Sequence, residues 1–244
     1  MNNQIMKLSY LLAIVIVAFS CNTAQVQTLD KLLGSAKKAF PLGEDETGKG
    51  LKEALEIGVS KGADALARPD GYFKSPYKIL LPTEAQKVVN KLQSVPGFQG
   101  LEADLTERLN RAAEDAATKA KPIFLNAIRQ LTIKDAINIL MGEKNAATQF
   151  LVRTTRTPLY DAFQPVINES LEKVNAVSLW STASTTYNKI PLVTKVNTKL
   201  DDHVTNKALD GLFLKIEEEE RNIRANPLAR TSELLKKVFS KQDK

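Results

Sequence analysis

The densest group of side chains able to do chemistry is Arg153, Thr154, Thr155, Arg156 and Thr157, with Tyr160 one turn further on. Two guanidiniums beside a phenol attract a carboxylate or phosphate through charge-assisted hydrogen bonds. Thr157-Pro158 has the cap-plus-first-turn pattern of a helix start, and a helix N-terminus would add its dipole to the same attraction. Arg153, Arg156 and Tyr160 are therefore the candidate anion-binding residues. A structural role competes, in which Arg153 or Arg156 pairs internally with Glu114, since buried arginines are normally paired. An enzyme using Arg, Tyr and carboxylate groups would draw on the same cluster.

His203 is the only histidine. A hydrolytic triad needs a nucleophile and an acid beside it, and no nucleophile-elbow pattern is present. Zinc and di-iron sites need several His, Cys or Glu-x-x-His ligands, so no metal and no cofactor are expected. His203 reads as a surface or capping residue at a helix start. Asp201-Asp202 and Glu217 to Glu220 lack the interleaved turn glycine of a calcium loop and read as a helix cap and a solvated face. Gly48-Lys49-Gly50 is too short for a phosphate loop and reads as a hinge. Tyr72, Phe73 and Tyr77 read as a seal on the end of a helical body, with an apolar pocket or partner surface as the alternative.

Cys21, the single cysteine, follows an apolar run from Leu8 to Phe19 preceded by Lys7. At about a dozen residues the run is too short to span a bilayer and has the anatomy of a secretory signal. Ala18-Phe19-Ser20-Cys21 resembles the lipobox of bacterial lipoproteins, which makes Cys21 the lipidation site and residues 1–20 the signal; an ordinary signal peptide is the alternative. Residues 21–28 form a tether, and 22–28 reach at most about 25 Å if extended. Asn22 after the cysteine resembles outer-membrane sorting, so a periplasm-facing outer-membrane lipoprotein is expected. The net charge of +6 includes only Lys7 from the signal, leaving 33 − 28 = +5, spread without a long basic block. That argues against nucleic acid and favours an anionic membrane face or cell-wall polymer.

Positioning falls to helices. A hydrophobic fraction of 43% and a charged fraction of 25% are those of a folded domain, and apolar residues recur at three-and-four spacing nearly throughout. The expected architecture is all-α, one domain over 29–240 with about eight to ten helices. Helix 29–40 is followed by a break at Gly43 to Gly50. Gly58 and Gly62 mark a close helix crossing. Leu101 to Leu131 keep one stripe for about eight turns, kinked or split near Lys121 by Pro122. Thr83 with Gln86, and Thr132 with Asp135, read as caps. Pro158 starts a helix, Asp201 or Asp202 caps another, and Asn226-Pro227 opens the last. Lys78 to Leu81 and Lys189 to Asn197 look extended and would pair as a short ribbon.

The runs Arg68-Pro69-Asp70-Gly71-Tyr72, Asn110-Arg111-Ala112-Ala113-Glu114, Ala120 to Phe124, Ala146 to Phe150, Arg153-Thr154-Thr155, Leu200 to Val204 and Lys207 to Phe213 carry a resemblance to a bacterial family. It is catalogued as a domain of unknown function, number forty-one ninety-seven. The likeness covers residues 29–239, with Leu80 where the pattern expects proline. The resemblance implies a secreted or lipidated helical protein and no particular activity, substrate or cofactor. The combined expectation is a lipid-anchored helical envelope protein, non-enzymatic, binding an envelope protein, lipid or cell-wall partner; a carrier of an apolar ligand is the alternative.

Overall fold

The computed structural model describes residues 43–240. Cys21, the apolar run before it, the tether and the expected helix at 29–40 lie outside the described residues. The described chain is all-α: α1 (Glu44–Leu66), α2 (Thr83–Leu92), α3 (Leu101–Ala117), α4 (Ala120–Arg129), α5 (Ile133–Met141), α6 (Ala146–Lys173), α7 (Ala176–Asn188), α8 (Leu200–Ala225), a 3-10 turn (Pro227–Ala229) and α9 (Glu233–Phe239).

α8 is the central element, packed against α1, α3 and α6. α1 runs antiparallel to it. A Cβ on Gly62 would lie 3.2 Å from Ile216, and one on Gly58 3.6 Å from Ile223. The expected close crossing is thus real, and tighter at Gly62. Gly48-Lys49-Gly50 is not a hinge; it lies inside α1, which begins after Gly43. A Cβ on Gly50 would sit 2.5 Å from Val238 of α9, so packing against α9 accounts for that glycine.

The stripe of α3 and α4 is split at Thr118-Lys119, and Pro122 falls in the first turn of α4, where a missing N–H has no helical acceptor to lose. Pro158 does not start a helix. α6 runs unbroken through Pro158 and Pro165, each an interruption costing about 3 kcal/mol in isolation. Leu151, Thr155, Leu159, Phe163 and Ile167 form one wholly buried stripe across both prolines. Burying each large apolar side chain contributes about 1.5–3 kcal/mol, so continuity of the packed face wins.

Other helix starts also differ from expectation. α2 begins after Pro82 with no side-chain cap, and Gln86 instead donates to the Leu81 carbonyl at 2.8 Å. α8 begins at Leu200, which places Asp201 and Asp202 within its first turn rather than at the cap. Asn226-Pro227 opens the 3-10 turn, while Ser232 caps α9. Val177 is half exposed, and α7 buries Ala176, Trp180, Ala183 and Tyr187. Thr132 and Asp135 do form a capping box.

No ribbon forms among the described residues. Two asparagines take the place of the missing strands. Asn110 of α3 receives the Ile79 N–H at 2.8 Å and donates to the Ile79 carbonyl at 2.8 Å. Asn188 of α7 does the same for Val196, at 2.9 and 3.0 Å. A carboxamide offers the donor and acceptor that a neighbouring strand would, so each extended segment is satisfied without its partner.

Candidate functional site

Most of the helices carry no side-chain cap of their own, yet the ends are not bare. Charged side chains arrive from other helices. Glu220, in the middle of α8, accepts from the backbone N–H groups of Ala147 (3.1 Å) and Thr148 (2.8 Å) and from the Thr148 hydroxyl, closing the N-terminus of α6. Its neighbour one turn on, Arg224, donates to Glu220 at 2.9 Å and to the carbonyls of Ile139 (2.8 Å) and Leu140, closing the C-terminus of α5. One buried ion pair thus caps both sides of the α5–α6 junction, with the anion at the amide end and the cation at the carbonyl end, as the helix dipoles favour. Arg230, only 2% exposed, donates to the Ile223 and Arg224 carbonyls at the end of α8.

Glu114 plays the same part for the connection between α1 and α2. One carboxylate oxygen accepts the N–H groups of Tyr72 and Phe73, both at 3.1 Å, and the other accepts from Arg111 at 2.8 Å. Arg111 also binds Asp70 at 2.7 Å and lies over the Phe73 ring. Asp70 adopts a left-handed φ of 67°. A Cβ on Gly71 would lie 2.6 Å from the carbonyl oxygens of both Ala65 and Leu66, so only glycine fits there. Tyr72 is fully buried and donates to the Ala208 carbonyl at 2.7 Å, and Tyr77 donates to Glu218. Tyr72 is therefore a core residue against the middle of α8, while Phe73 and Tyr77 stay half-buried and border shallow surface grooves.

The predicted anion-binding residues lie along one seam between α6 and α8, in the middle of a continuous helix. No helix N-terminus contributes to them. Glu114 pairs with neither arginine. Arg156 donates to Asp210 at 3.0 Å, and the Tyr160 hydroxyl donates to Asp202 at 2.6 Å. Arg153 is exposed and has no hydrogen bond or ion pair with any described residue. It overhangs a groove of about 640 Å³ bounded by Gln149, Val152, Arg156, Asp210, Leu214 and Glu217, both of whose carboxylates are already paired, Asp210 with Arg156 and Glu217 with Arg221. Leu214 is 57% exposed at its edge. The groove can take a ligand with an anionic group at Arg153 and an apolar flank on Val152 and Leu214.

Elsewhere, His203 lies in the first turn of α8 with its Nε2 2.9 Å from the Leu80 carbonyl. No group of three or more potential metal ligands occurs among the described residues. No helix among them is long and apolar enough to cross a membrane. The apolar cavity between α1, α8 and α9 holds about 20 Å³, room for about one water.

Three phenols are pushed upward in pKa. Burial, reinforced by the charge of Glu114, acts on Tyr72. Burial and then the bond to Glu218 push Tyr77 up to about 12. The bond to Asp202 raises Tyr160. A raised folded-state value contributes stability that is complete below the unfolded phenol value of about 10 and is lost as pH climbs through the folded one. Urea midpoints are therefore expected to fall steeply between pH of about 10 and about 12. Tyrosinate absorbance should rise together with that loss; a phenol signal titrating fully in the native protein at the ordinary value would contradict the assignment.

Sequence reasoning missed Glu220 and Arg230 as caps and saw Glu114 only as a partner for the wrong arginine. The available signal was the Asn110 to Glu114 run, whose three polar members Asn110, Arg111 and Glu114 turn out to hold one loop. Neither the curated proteins nor the solved structures contain a match to this chain. A family model does match, over residues 41–240, and the chain belongs to the family it describes, Protein of unknown function (DUF4197).

Proposed function

We propose that the chain is a lipid-anchored protein of the bacterial envelope that acts by binding, with the α6–α8 groove as its docking site for a carboxylate- or phosphate-bearing partner. The observation that carries the groove is Arg153. Arg156, Arg221 and Arg224 on the same two helices are all paired with carboxylates, whereas Arg153 stands unpaired over an open, partly apolar groove. An unpaired guanidinium beside exposed apolar surface offers a bidentate anion contact without first breaking an internal one. The anchor rests on Cys21 and the apolar run before it, and attachment through Cys21 would hold the groove in the envelope with a membrane or cell-wall partner within reach.

Two measurements test the two parts. Intact mass of the protein from cell membranes is expected to show a chain beginning at Cys21 with a lipid mass attached; an unmodified Cys21 sinks the anchor. For the groove, a photo-crosslinking residue at Gln149 is expected to capture one major envelope component, and Arg153→Glu should reduce that capture at least tenfold. Because Arg153 is exposed and unpaired, the substitution should leave stability within about 0.5 kcal/mol. Unchanged capture with Arg153→Glu would remove the groove from the proposal.

A further inference from the structure

The loop between α7 and α8 displays a leucine at a cost. Leu192 is 106% exposed and holds a left-handed φ of 65°, a conformation uncommon for a bulky non-glycine residue. The loop is well anchored rather than loose. Asn188 clamps Val196 at both backbone groups, Trp180 donates to the Thr198 carbonyl at 3.0 Å, and Ile190, Val193 and Val196 pack against the core. The inward anchors leave Pro191-Leu192 as the outward tip.

Along this segment of the chain the charge is one-sided. Lys189, Lys195 and Lys199 are exposed and form no ion pair among the described residues. No Asp or Glu occurs from Val174 to Leu200. The acids that follow in the sequence are Asp201 and Asp202, and Asp202 accepts from Tyr160. An exposed apolar tip with unpaired lysines on both sides of it in the chain suits the layering of a bilayer surface, with hydrocarbon beneath a plane of phosphates.

The geometry points to the α7–α8 loop as a docking tip for an anionic lipid surface: Leu192 enters below the headgroups while Lys189, Lys195 and Lys199 contact lipid phosphates. The assignment does not rest on acylation of Cys21 or on the α6–α8 groove. α1 enters at the opposite end of α8 from this loop, because Gly58 and Gly62 of α1 face Ile223 and Ile216. Contact at this loop would therefore be separate from the point at which α1 begins.

Hydrogen–deuterium exchange of the full chain with vesicles reads the loop directly. Amides of residues 189–199 are expected to be protected on vesicles containing phosphatidylglycerol and not on phosphatidylcholine alone. The triple variant Lys189→Gln, Lys195→Gln, Lys199→Gln should weaken docking about a hundredfold, and Leu192→Ser about tenfold, with exchange in the buried part of α8 unchanged. Equal exchange of the loop on both vesicle types overturns the proposal, as does full protection in the triple variant. Protection by soluble polyglutamate as strong as that by anionic vesicles would point to an acidic protein partner and also overturn it.

Discussion

Glu114→Ala is expected to destabilise the protein by about 3–5 kcal/mol, or roughly 6–20 °C in melting temperature for a domain of this size. The carboxylate is buried and meets three donors at once: two backbone N–H groups of the α1–α2 connection and the Arg111 guanidinium. Removing it orphans the Tyr72 and Phe73 amides, each worth about 1–3 kcal/mol when left unsatisfied. Arg111 keeps Asp70 and Glu107 as partners, so its own loss is smaller. Glu114→Gln separates the contributions. A carboxamide oxygen can still receive both amides, but its NH₂ then confronts the donors of Arg111, and the expected cost falls to about 1–2 kcal/mol. Urea denaturation of the two variants checks the order. Equal losses would mean that the ion pair, and not the loop amides, is what Glu114 supplies.

The helical class, the split near Pro122, the Thr132–Asp135 box and the close crossing at Gly62 were legible because each is local or follows from periodicity. What was not legible is long-range. Thr157-Pro158 has the composition of a helix start, and only the buried stripe shared with α8 and α3 shows why the chain stays helical through it. The stretches at Ile79 and Val196 look like strands because they are extended; nothing local says that Asn110 and Asn188 will stand in for the other strand. The same holds for the cluster at Arg153. Its composition was readable, but its pairing was set by α8: Asp210 takes Arg156 and Asp202 takes Tyr160, leaving one arginine of the three-residue cluster free.

Glu220 and Arg224 make the sharpest case, since four-residue spacing on a helix ordinarily signals a surface pair worth about 0.2–0.5 kcal/mol. Here Glu220 is buried and Arg224 nearly so, and the pair faces two helix ends rather than solvent. Glu220→Ala is expected to cost about 3–5 kcal/mol, because it leaves Arg224 as an uncompensated buried charge and strips two amides at the start of α6. Arg224→Ala should cost a similar amount for the mirror-image reason at α5. The double variant should cost clearly less than the sum, since the second removal takes away the charge that the first one stranded. The swapped pair, Glu220→Arg with Arg224→Glu, distinguishes a cap from a simple salt bridge. It restores opposite charges at the same spacing but puts the cation against the N–H groups of Ala147 and Thr148 and the anion against the Ile139 and Leu140 carbonyls. Both helix dipoles then oppose it, and no recovery beyond the double alanine variant is expected in urea denaturation. Recovery to near wild-type stability would show that mutual attraction alone holds the α5–α6 junction, and that capping is incidental.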